Sequence, residues 1–127
     1  MRRVRVVLVE DNEVFREALE LMLGMRAEIE VVAAVADGAA AVEAALLHRP
    51  DVVLVDYRMP GLDGVEATKE LRVQLPEVGV VALTASADDG QREALLAAGA
   101  SACLRKDQEL DEIVAAIERA AGTGPGG

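Results

Sequence analysis

Aromatic side chains are almost missing from this chain: one Phe, one Tyr and no Trp make up 2% of it. A core without large flat rings has to be assembled from Val, Leu, Ile and Ala, a composition suited to helices packed on strands. Cysteine is scarcer still. Cys103 stands alone, which excludes an internal disulfide and a cysteine-built zinc site and agrees with a reducing cytosol. Basic residues are outnumbered 13 to 23, for a formal charge of −10 at pH 7. Such a balance offers no surface for neutralising phosphates, which argues against direct nucleic-acid binding by this chain and against anionic membranes. Long apolar runs are absent too. The opening "MRRVRVVLVE" is basic and then apolar, but Glu10 and Asp11 interrupt it well short of a signal-peptide core or a membrane span.

What is present is a chain of 127 residues, 52% hydrophobic, the size of one domain able to bury roughly two-thirds of its unfolded surface. Its apolar runs alternate with amphipathic segments. Strands are predicted at "VRVVLV" (4–9), "EVVAAV" (30–35), "DVVLV" (51–55), "GVVALT" (79–84) and "SACLR" (101–105). Helical spacing connects Val14, Ala18, Leu21, Met22 and Met25 after the first strand, and Leu110, Ile113, Val114 and Ile117 near the end. Three more helices are expected at about 39–48, 64–75 and 89–98. Asp63 with Glu66 resembles a capping box, Asp37 and Asp107 suit N-caps, and Gly99 suits a left-handed helix end. Strands that are apolar throughout, each followed by a helix, indicate a parallel sheet covered on both faces, a doubly wound α/β fold.

In such sheets ligands bind beyond the carboxyl ends of the strands. Glu10 and Asp11 end the first predicted strand, Asp56 the third, Thr84 the fourth and Lys106 the fifth. Three carboxylates in one pocket repel one another and either hold protons or recruit a cation. Oxygen ligands without His or Cys favour magnesium. That leaves Asp56, central in the sheet, as a candidate nucleophile, with Lys106 and Thr84 placed to receive charge on a phosphoryl group.

The ordered set "VLVEDNE", "VVLVDYRMPGLDG", "VVALTASAD" and "GASACLRKD" closely resembles the receiver domain of bacterial two-component response regulators, in the branch that usually carries a helix-turn-helix. The resemblance covers nearly the whole chain and implies a flavodoxin-like sheet in the order 2-1-3-4-5. It implies that Asp56 accepts a phosphoryl group from a sensor histidine kinase. Asp11 and Asp56 would bind Mg2+ directly, Glu10 through water and Arg58 through its backbone carbonyl. Thr84 and Lys106 would read the phosphoryl group, and Arg58 and Ser86 would modulate its lifetime. A loop after the fourth strand would then switch the face formed by the fourth helix, fifth strand and fifth helix.

Departures from the family pattern are local. Where many members carry an aromatic switch residue this chain has Cys103, which reads as a small apolar strand residue. Asp107 replaces a proline joined by a cis bond, and Glu10 replaces the commoner aspartate. His48, just before Pro50, reads as a surface histidine, and Phe15 and Tyr57 as packing residues.

Rival chemistries lack their residues. A haloacid-dehalogenase-like phosphatase wants a second Asp two residues after its nucleophile, where this chain has Arg58. A dinucleotide oxidoreductase wants a Gly-rich turn after the first strand, where "VEDNE" supplies acids. The rival that keeps the motifs is a receiver-like interaction module working without phosphate. Residues 1–121 are therefore expected to form a receiver, with the Gly-rich 122–127 as a tail or linker toward a C-terminal DNA-binding domain. A cytoplasmic location is expected, and a homodimer through either the fourth-helix face or the first and fifth helices stays open.

Overall fold

A computed structural model describes residues 3–56, 64–85 and 89–122. Five strands, β1 (Val4–Val9), β2 (Ile29–Val35), β3 (Val52–Asp56), β4 (Gly79–Thr84) and β5 (Ala102–Arg105), alternate with five helices. These are α1 (Glu13–Gly24), α2 (Gly38–His48), α3 (Gly64–Gln74), α4 (Asp89–Ala98) and α5 (Leu110–Ala121). The strands form one parallel sheet in the order β2-β1-β3-β4-β5. The expected fold and strand order are both observed.

Alternation along the strands divides the core into two layers. Val7, Val9, Val53, Val55, Val80 and Ala82 face a cluster completed by residues of α2, α3 and α4. Val6, Leu8, Val52, Leu54, Val81 and Leu83 face the opposite cluster, closed by α1 and α5. β3 and β4 are buried at every position, as continuous apolar runs require. Edge strand β2 is mostly half-buried.

One predicted face is corrected. Val14, Ala18, Leu21 and Met22 do share α1, with Met25 as its C-cap, but all five are exposed, and α1 buries Leu19 and Leu23 instead, with Phe15 half-buried against the same layer. The helix is where its periodicity put it; the core lies on the other apolar stripe.

Caps explain most of the boundaries. Asp37 caps α2 by accepting from the Ala40 N–H at 2.8 Å, and Gly99 leaves α4 at φ +114°, in the left-handed region. Asp107 does not cap α5. Glu109 occupies the N-cap without a side-chain bond, while Asp107 pairs with Arg105 at 2.8 Å. Two caps were not foreseen: Asn12 accepts from the Phe15 N–H at 2.9 Å to start α1, and Arg49 ends α2 with φ 49°. Asp63, half of the expected capping box, lies outside the described residues.

Gly79 sets how closely α5 approaches the sheet. A Cβ there would lie 2.7 Å from the Ala120 carbonyl oxygen, a backbone atom that cannot swing aside. Gly79→Ala is expected to cost about 1–3 kcal/mol through overpacking, read as a lower urea midpoint with an unchanged slope; an unaltered midpoint would show that α5 yields freely.

Candidate functional site

The strand ends bring the predicted residues together at the carboxyl edge of the sheet. Glu10 follows β1, and its N–H donates to the Val35 carbonyl at 3.0 Å. Asp56 is the last residue of β3 and pairs in register with Leu83 of β4, one residue before Thr84. Lys106 follows β5, and its N–H donates to the Thr84 carbonyl at 2.7 Å. Carboxylate oxygens of Glu10, Asp11 and Asp56 all lie within 4.8 Å of one another.

Burial differs sharply among the three acids. Glu10 is 1% and Asp56 4% exposed, whereas Asp11 faces solvent. Although it ends a strand at the edge of the sheet, Asp56 is nearly closed off from solvent. Burial, first, and the neighbouring Glu10 charge, second, push the Asp56 carboxyl from 3.8 up to about 7, against the opposing pull of Lys106.

The Lys106 ammonium is the counter-ion of the pair, 2.7 Å from Glu10 Oε1 and 3.2 Å from Asp56 Oδ2. Burial works against its charge, but the two carboxylates outweigh that and raise its pKa. Its Nζ also sits 4.9 Å from the centroid of the Phe15 ring, close enough for a cation–π attraction. Phe15 is thus a packing residue with a second face on the site. Sequence reading gave it only the first role.

Glu10 is itself held by two further hydrogen bonds. Its Oε2 accepts from the Asn12 N–H at 2.9 Å, and its backbone carbonyl accepts from Arg16 Nη1 at 2.9 Å. Glu10 Oε1, fully buried, accepts no hydrogen bond in good geometry despite the nearby ammonium. A buried carboxylate oxygen left this way, beside two further carboxylates and no His or Cys ligand, fits a hard oxygen-seeking cation.

Thr84 is 6% exposed, and its Oγ1 donates to Gln91 Oε1 of α4 at 3.1 Å. Cys103, by contrast, points into the α2–α3–α4 core layer at 3% exposure, where burial raises its thiol pKa while Arg92 opposes. A buried protonated thiol suits packing rather than redox chemistry. Among the described residues there is no cis peptide bond, so Lys106–Asp107 is trans. Arg58 and Ser86 lie outside the described residues, as does Tyr57.

No helix among the described residues is long and apolar enough to cross a membrane. A cavity of about 510 Å³ lies at the opposite, amino end of the strands, lined by Arg49, Asp51, Pro76 and Ala121 among others. It shares no residue with the acidic cluster.

Residues 6–118 match one family, described as the response regulator receiver domain. The transcriptional regulatory protein DegU of Brevibacillus brevis is 37% identical over 116 residues, which cover 91% of this chain and 49% of DegU. LiaR of Bacillus subtilis, also a transcriptional regulatory protein, is 38% identical over 117 residues, covering 92% and 56%. This chain therefore spans about half the length of the curated relatives it matches. Among solved structures, the signal receiver domain of the response regulator NarL from Mycobacterium tuberculosis superposes with a TM-score of 0.91 at 37% identity, covering 97% of this chain and 99% of that one. A LuxR-family two-component response regulator from Aurantimonas sp. gives 0.89 at 29% identity, covering 94% and 86%.

Proposed function

The chain belongs to the response regulator receiver domain family of two-component systems, and on that premise we propose that Asp56 is its phospho-acceptor, charged by a sensor histidine kinase in a magnesium-dependent reaction. The observation that carries this reading is the single cluster of Asp56, Glu10, Asp11 and Lys106 at the carboxyl edge. An Asp56 carboxylate oxygen attacks the phosphorus of a phosphohistidine, the P–N bond breaks, and the imidazole leaves with the electron pair. Asp11 and Asp56 would hold the metal directly, Glu10 through water and Arg58 by its carbonyl. Magnesium, when bound, neutralises charge on the phosphoryl oxygens and relieves repulsion among the carboxylates.

The protein's own groups supply the rest. The Lys106 ammonium, already 3.2 Å from Asp56 Oδ2, receives the added negative charge, and the Thr84 hydroxyl donates to a phosphoryl oxygen once it turns toward Asp56. That turn would change the α4–β5–α5 face. We place the domain in the cytoplasm, assign residues 1–121 to the receiver and leave 122–127 to a tail or linker. We also propose an attached DNA-binding domain and a role in transcription, a reading supported by the relatives named as transcriptional regulatory proteins. Arg58 and Ser86 are proposed to tune the phosphoryl lifetime.

Intact-mass analysis after incubation with acetyl phosphate decides the matter. A gain of one phosphoryl group that needs magnesium and disappears in Asp56→Asn is expected. No gain in a folded sample that binds magnesium would leave a phosphate-independent interaction module.

A further inference from the structure

Thr84 carries one hydroxyl proton, and in this structure that proton goes to Gln91 Oε1, 3.1 Å away on α4. The Thr84 backbone has little freedom. It is paired with Arg105 in the β4–β5 ladder, and its carbonyl accepts from the Lys106 N–H at 2.7 Å. Only the side chain can turn. Asp56 lies on the neighbouring strand in register with Leu83, one residue before Thr84, so a rotation about χ1 separates donation toward α4 from donation toward Asp56.

From this we infer that Gln91 is a positioning residue that acts through Thr84, holding the hydroxyl on the α4 side until a phosphoryl group competes for its proton. The inference rests on Asp56 as phospho-acceptor and adds the residue that opposes it. Gln91 is the third residue of α4 (Asp89–Ala98). Its side-chain amide therefore ties the first turn of that helix to the end of β4, and release of the hydroxyl frees that turn at the same moment. The Thr84–Gln91 hydrogen bond is the contact at stake, and its removal is expected to move the balance about threefold to tenfold.

The test compares wild type, Gln91→Leu, Thr84→Val and the double variant in two measurements. In the first, beryllofluoride with magnesium serves as the phosphoryl mimic and its apparent affinity is titrated. Gln91→Leu is expected to bind about threefold to tenfold more tightly than wild type, with no difference between Thr84→Val and the double variant. Equal affinity of Gln91→Leu and wild type, or an equal shift when Thr84 is already Val, overturns the inference; a general loosening of α4 would act in both backgrounds. In the second, amide hydrogen exchange is followed without fluoride or metal, and faster exchange in the first turn of α4 is expected for Gln91→Leu. A wild type that ignores beryllofluoride counts against Asp56 as acceptor, and the exchange measurement then decides alone: unchanged exchange in α4 overturns the role of Gln91.

Discussion

Asp56→Asn is expected to be more stable than the wild type at pH 8 in the absence of divalent metal, although it removes the proposed acceptor. The wild-type carboxyl has its pKa displaced from 3.8 to about 7, chiefly by burial and then by Glu10. Between those two values the folded chain holds a proton that the unfolded chain has released. Stability therefore falls as pH rises through this window and is level above it. The displacement sets a ceiling of about 4 kcal/mol on what the buried charge costs. That ceiling is already net of the Lys106 attraction, and an asparagine matches the neutral carboxyl only in part, so the advantage expected at pH 8 is about 1–3 kcal/mol. At pH 4 the advantage should vanish, because wild-type Asp56 is then neutral as well. Magnesium works the other way: at ten times its Kd it adds about 1.4 kcal/mol to any form that binds it. Urea unfolding of both proteins at pH 4 and 8, with chelator or with magnesium, reads all three effects. An asparagine variant weaker than wild type at pH 8 under chelator would show that Asp56 is comfortably ionised.

The strands were legible because their signal is composition as well as spacing. Runs such as "VVLV" have no polar face to misassign, and Pro50, Gly79 and Gly99 punctuate them. Each of the five was located to within one residue. Helix α1 was legible as a helix but not as to its buried side. Residues 14, 18, 21, 22 and 25 and residues 15, 19 and 23 both recur at helical spacing, and only docking against β1 and β2 selects the second set. Periodicity reports a face; tertiary contact decides which one is covered. Asp107 failed as a cap for a local reason: α5 starts only at Leu110 with Glu109 at its N-cap, and the Asp107 carboxylate meets the exposed Arg105 instead.

Within the site, the residues foreseen are those at strand ends. A parallel sheet delivers every strand terminus to one edge, so Glu10, Asp11, Asp56, Thr84 and Lys106 could be gathered from order alone. Phe15, Arg16 and Gln91 reach the same edge from the first turns of α1 and α4. Their direction depends on how each helix is rotated against the sheet, which no strand pattern encodes. The usable clue was proximity in sequence: Phe15 follows Asp11 by one helical turn, and Gln91 lies near the start of the helix that follows Thr84.

Lys106→Met should have the largest effect on stability of any single change at the site, because it leaves two buried carboxylates facing each other without a counter-ion. The ammonium lies 2.7 Å from Glu10 Oε1 and 3.2 Å from Asp56 Oδ2, and those residues are 1% and 4% exposed. Breaking a buried pair from one side costs about 3–5 kcal/mol, since the charge that remains has lost both water and partner. The loss of the Phe15 contact adds to it in the same direction. Two remedies distinguish this origin from a simple packing defect. Acidification should restore part of the loss as Asp56 takes up a proton, and Asp56→Asn in the same chain should restore a comparable part at pH 8, so that the double variant is more stable than Lys106→Met alone. A packing defect would respond to neither. If urea midpoints show less than about 1 kcal/mol of loss at pH 8, the lysine behaves as an exposed surface charge. In the expected case the same ammonium has two consecutive roles: it offsets the Glu10–Asp56 repulsion at rest, and under the proposed phosphorylation of Asp56 it would meet the extra charge.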